Sequence, residues 1–129
     1  MRVLIAAVGR LRDGPEATLT ADYMARAANA GRQIGFKSVD LVEVEGKHPG
    51  DPRAEASALY RATPDDARKI LLDERGTEWT SRQLAEKLAR WRDDGVACAT
   101  FWIGGADGVS QSVKDQADEK LALGRQTWP

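Results

Sequence analysis

Phe101-Trp102-Ile103-Gly104-Gly105-Ala106-Asp107-Gly108 is the stretch on which the reading of this chain turns. An apolar run suited to a buried strand breaks there into a glycine-rich loop, and a helix-like pattern follows. In α/β sheets, small molecules bind in loops of this kind at the carboxyl ends of strands. Glycine lets the backbone come close to a ligand and take positive φ. Gly105 is expected in one of those two roles. Taken alone, a Gly-Gly pair before a helix is equally well an ordinary tight turn. Two further stretches add weight: Leu72-Asp73-Glu74-Arg75-Gly76 upstream and Leu121-Ala122-Leu123-Gly124-Arg125-Gln126-Thr127-Trp128-Pro129 at the end.

Working outward from the loop, the preceding run at 96–103 predicts one strand, and residues 2–9 predict another that is apolar on both faces and central in a parallel sheet. Gly14-Pro15-Glu16 opens a helix with proline at its first position and an acid in its first turn. Leu19, Tyr23 and Ala27 form the expected apolar face of that helix, which should end near Gly31. Residues 39–44 are more polar and predict a strand nearer an edge. A turn-rich loop spans 46–52, and a short alanine-rich helix at 53–61 is closed by Thr63-Pro64. Residues 68–73 predict a third strand. Thr80-Ser81-Arg82-Gln83 has the form of a capped helix start, with Leu84, Leu88 and Trp91 on one face and Gly95 as the stop. A last helix is expected at about 110–120, with Leu121 and Leu123 covered by the core beside the strand at 96–103. The alternation predicts an α/β fold, a mostly parallel sheet with helices on both faces, in a single domain over 1–129.

Composition narrows the function. The chain has 129 residues, 42% hydrophobic and 30% charged, with a formal net charge of −1. That charge argues against gripping nucleic acid by bulk electrostatics, because each neutralised phosphate needs a Lys or Arg. No apolar run approaches the roughly 20 residues of a membrane span, and no signal-peptide pattern opens the chain; a cytoplasmic protein is expected. Cys98 lies in an apolar run and reads as a buried, inert thiol. His48, the one histidine, reads as a solvated loop residue, so a multi-histidine metal centre is excluded and no metal is expected. There is no nucleophile elbow and no Walker loop, and Gly104-Gly105-Ala106-Asp107-Gly108 lacks the dinucleotide spacing. Asp73, Glu74 and Asp107 are carboxylates near strand ends, equally readable as ligand contacts or as loop caps. Trp79, Trp91 and Trp102 read as core or helix-face residues, while Trp128 is placed to flank an aromatic ligand.

The order and spacing of these pieces resemble the RlmH family of bacterial ribosomal large-subunit RNA (pseudouridine-N3)-methyltransferases, of the SPOUT class. The residues that carry the resemblance are Ala7-Val8-Gly9, Leu72-Asp73-x-x-Gly76, Trp91 with Asp94-Gly95, Ile103-Gly104-Gly105-x-x-Gly108 and Leu121-x-Leu123-x-x-x-Thr127-x-Pro129. It extends over the whole chain. It implies the SPOUT α/β-knot fold with a trefoil knot, a homodimer, and S-adenosyl-L-methionine bound by three loops. The implied substrate is a pseudouridine of 23S rRNA in the assembled ribosome. Carried over residue by residue, the cofactor contacts are Leu72, Gly104, Gly105, Leu123, Gly124, Arg125, Gln126, Thr127 and Trp128. No catalytic residue is assigned, since none here stands out as the acceptor of the N3 proton.

Family members continue past the proline with a histidine, a long helix and a basic tail that complete the knot, enter the dimer interface and contribute to the active site. The chain as printed stops at Pro129, so an incomplete knot and impaired catalysis are expected of it. Two other functions compete with the methyltransferase: a nucleotide-binding or NAD-dependent module using the same glycine loop, and a non-catalytic fragment. Binding of S-adenosylhomocysteine against NAD separates the first pair.

Overall fold

A computed structural model of the chain describes residues 1–127. Five strands, β1 (Arg2–Val8), β2 (Ser38–Val44), β3 (Arg68–Glu78), β4 (Cys98–Ile103) and β5 (Glu119–Ala122), alternate with four helices, α1 (Pro15–Gln33), α2 (Pro52–Ala62), α3 (Ser81–Asp93) and α4 (Gln111–Gln116). The strands form one sheet in the order β2-β1-β4-β3-β5, and every pairing is parallel. The α/β reading holds, and all carboxyl ends of the strands therefore lie at one edge. β1 is interior, as its two apolar faces require, although β4 takes the middle position. β2 is an edge strand, as its polarity predicts.

Helices cover both faces. On one, α2 and α4 pack Ala56, Leu59 and Val113 against Ala6, Leu71 and Trp102. On the other, Trp91 of α3 packs against Ile70, Ala99 and Leu121, and Gly31 near the end of α1 sits against Phe36 and Val39. Thr80 and Gln83 form the reciprocal capping box that starts α3, and Gly95 ends its turn at φ +84°. Both features follow from the sequence signals.

Four expectations are corrected. Leu19 and Tyr23 do not face the core: each keeps 57% of its surface exposed, and Ala27 is exposed too. The inward face of α1 is Ala17, Thr20, Met24, Ala28 and Gly31, mostly small residues that let the helix lie close to the sheet. Secondly, the third strand does not stop at residue 73. It continues to Glu78 through an irregularity, because Leu72 and Thr77 both pair with Leu121. Asp73 Oδ1 accepts from the Arg75 amide, a local turn of the kind aspartate favours. Gly76 fits within it, since a Cβ there would lie 2.6 Å from the Lys120 carbonyl oxygen.

The third correction concerns the last helix, expected to reach Lys120. α4 ends at Gln116, and residues 119–122 form β5 instead. The periodicity of 110–120 does not distinguish a six-residue helix followed by a strand from a single longer helix. Finally, β5 lies beside β3 and not β4. Leu121 is buried there, but Leu123 is 62% exposed. β4 has both edges occupied by β1 and β3, so no further strand can pair with it, and β5 takes the outer edge of β3.

Candidate functional site

Parallel pairing brings three of the singled-out stretches to the same edge of the sheet. Leu71 pairs with Trp102 and Leu72 with Leu121, so Leu72, the Gly104-Gly105 loop and the residues after β5 leave neighbouring strands side by side. Thr127 donates a hydrogen bond to Glu74, which ties the final segment to the β3 irregularity. Leu123, Arg125, Gln126 and Thr127 are exposed and Gly124 is half-buried at φ +124°. Trp128 lies outside the described residues.

The loop after β4 closes as a tight turn in which the Gly108 amide donates to the Gly105 carbonyl at 3.1 Å. Its positive φ falls on Gly108, at +85°, and not on Gly105. Gly105 is small for a different reason. A Cβ there would meet both carboxylate oxygens of Glu55 at 2.9 Å. Gly104 is equally confined, because its Cβ would lie 2.3 Å from Val109 Cγ1. The pair is therefore a cradle with side chains packed beneath it as well as a turn. Ser110 caps the helix that follows, accepting from the Val113 amide.

Glu55 is the residue that sequence reasoning missed. It stands in the first turn of α2, whose Asp51 cap accepts from the Arg53 amide. α2 packs its start against the glycine loop, so Glu55 as a residue is 9% exposed and lies with Val8, Gly104, Gly105, Gly108 and Val109 around a narrow crevice. Its Oε1 has no hydrogen-bond partner among the described residues. An acid in a first helical turn has an ordinary explanation in the helix dipole, and so the sequence gives no signal that this one is buried. Of the other carboxylates, Asp73 is engaged in its local turn, Glu74 receives Thr127, and Asp107 is exposed, reaching toward Gly50.

A second hollow, of about 330 Å³, opens between the end of β3 and α3. Trp79, Gln83 and Lys87 line it, with the Lys87 ammonium 4.4 Å from the Trp79 ring centroid and 2.8 Å from Glu119. His48 is exposed in its loop and Cys98 is buried, as their settings predict.

A parallel α/β sheet with a glycine cradle at its carboxyl edge, irregular β3 and a short β5 define a class. The family described as "Predicted SPOUT methyltransferase" matches residues 1–129, and the chain belongs to that family. Within it, the chain is 50% identical over its full length to the ribosomal RNA large subunit methyltransferase H of Paracoccus denitrificans, covering 83% of that protein. The protein of the same name from Phenylobacterium zucineum is 50% identical and covered over 82% of its length. That from Afipia carboxidovorans is 44% identical, with 83% covered. The chain is thus a member of the RlmH family, an rRNA methyltransferase by its family. Among the described residues, no helix is long and apolar enough to cross a membrane.

Proposed function

We propose that this protein methylates N3 of a pseudouridine in 23S rRNA of the assembled ribosome. In this reading S-adenosyl-L-methionine is held by Leu72, Gly104, Gly105 and the run Leu123, Gly124, Arg125, Gln126, Thr127 and Trp128. The observation that carries it is the meeting of these stretches at one sheet edge, with Leu72 and Leu121 in register. The glycine cradle fits such a ligand: at Gly104 and Gly105 the backbone is bare because no side chain has room on the inner side. Backbone N–H and C=O groups in the two loops are then left to read a purine edge, with apolar side chains such as Leu72 against its face.

When bound, the cofactor supplies a methyl group on a cationic sulfur. The chain's own part is to hold donor and target in line, which for a two-substrate transfer is a large share of the rate enhancement. The target nitrogen must lose its proton as the new bond forms. The same reading makes the protein a cytoplasmic homodimer that works without a metal ion. The net charge of −1 favours recognition of a composite ribosomal surface over a grip on naked RNA.

Transfer of a labelled methyl group should be measured on three substrates: assembled ribosomes carrying the pseudouridine, assembled ribosomes with uridine in its place, and protein-free rRNA. Transfer to the first alone is the expected result, and equal transfer to free RNA overturns the reading. Calorimetry should also register S-adenosylhomocysteine and give no signal with NAD.

A further inference from the structure

Glu55 is the one acidic residue among the buried residues that the structure describes. Burying a carboxylate is unfavourable unless it is paired with a cation or fully hydrogen-bonded. Neither condition is met here. Oε1 has no partner among the described residues. The surroundings do not supply the missing charge. Asp51 caps the same helix, Asp107 approaches the adjoining Gly50, and none of the ion pairs among the described residues includes Asp51, Glu55 or Asp107. The first-turn position of Glu55 on α2 accounts for an acid at that place in the helix. It does not account for the direction of the side chain, which lies against Gly105 where a single Cβ would collide with it.

We propose that Glu55 is a ligand-reading residue: its buried carboxylate, set against Gly105, is held for a cationic group of the small molecule bound at the glycine loop. The inference rests on the cofactor reading above and adds a specificity determinant to it. S-adenosyl-L-methionine carries two such groups, its sulfonium and its α-ammonium. The carboxylate supplies electrostatic attraction to either one, and a charge-assisted hydrogen bond to the ammonium.

Three ligands separate the two cations. S-adenosyl-L-methionine has both, S-adenosylhomocysteine keeps only the ammonium, and 5′-methylthioadenosine has neither. Calorimetric dissociation constants should be compared for the full chain and its Glu55→Gln variant, which preserves shape and removes charge. Loss of a charged partner is expected to weaken binding about tenfold or more. Weakening confined to S-adenosyl-L-methionine supports the proposal and identifies the sulfonium. Weakening of that ligand and S-adenosylhomocysteine together, with methylthioadenosine unchanged, supports it and identifies the ammonium. Equal effects on all three, or no effect on any, overturn it and leave Glu55 a packing residue. Failure of the unaltered protein to bind any of the three is a different result, for it overturns the cofactor reading on which the inference stands. If Glu55→Gln does not melt cooperatively, Glu55→Asp takes its place, with the charge kept and withdrawn from the loop. The same ligand pattern then decides.

Discussion

Both sides of the sheet have an inaccessible centre, Ala6, Leu71 and Trp102 on the α2 and α4 side and Ile70 and Ala99 on the α1 and α3 side, but the two are held differently. The α2 and α4 side carries polar ties. The Trp102 indole donates to Thr63 Oγ1 at 2.8 Å, and that hydroxyl in turn donates to the Leu59 carbonyl. The rings of Tyr60 and Trp102 lie 5.8 Å apart at a tilt of 56°, a favourable aromatic geometry. On the other side α1 reaches the sheet through small residues near its end and leaves Leu19 and Tyr23 outside, each 57% exposed. Buried polar ties therefore add to the packing around Trp102 on the first side.

That contrast fails if the α2 and α4 side proves tolerant of change at Trp102. Trp102→Ala should cost about 3–5 kcal/mol, read by urea unfolding, and a loss below about 1 kcal/mol would show that the packing and ties at Trp102 do little to hold the fold. Beneath the loop, Gly104→Ala places a Cβ 2.3 Å from Val109 Cγ1 and should cost about 1–3 kcal/mol as overpacking. Adding Val109→Ala should return part of that loss, and simple additivity of the two changes would mean the contact is not the cause. On the α1 and α3 side, Thr80→Ala removes the capping box of α3 and should cost about 1 kcal/mol. Leu19→Lys, on the exposed face of α1, should move stability by no more than about 0.5 kcal/mol; a larger loss would mean that the leucine is covered in solution.

Much of this arrangement is legible in residue order alone, for identifiable reasons. Caps and stops act within a few residues of the signal, so Thr80, Gln83, Gly95 and the Pro15 start of α1 are readable directly. Interior and edge positions for β1 and β2 follow from how many of their faces are apolar. α1 misled because an apolar stripe reports which residues avoid water, and here close approach through Ala17, Ala28 and Gly31 decides the packing face. The short fifth strand was hidden because its pairing partner is the third strand, far away in sequence, and because the irregularity at Leu72 and Thr77 is specified by both strands together. Of the candidate site, the glycine loop and Leu72 were visible as motifs. Glu55 was not, since burial of an acid depends on a helix packing against a loop fifty residues distant and leaves no local trace.

The strand order has a consequence for how the chain assembles. β4 separates β1 from β3, so during synthesis from the amino end the sheet exists as two unconnected pieces until Cys98–Ile103 has emerged. Even then the outer edge of β3 stays open until residues 119–122 are made. An eleven-residue strand with unpaired backbone groups is a template for pairing with another chain, and long-range parallel pairing is slow to form. Single substitutions that weaken β5, such as Leu121→Ala, should therefore lower the yield of soluble protein during expression by more than they lower the melting temperature of the material that has folded.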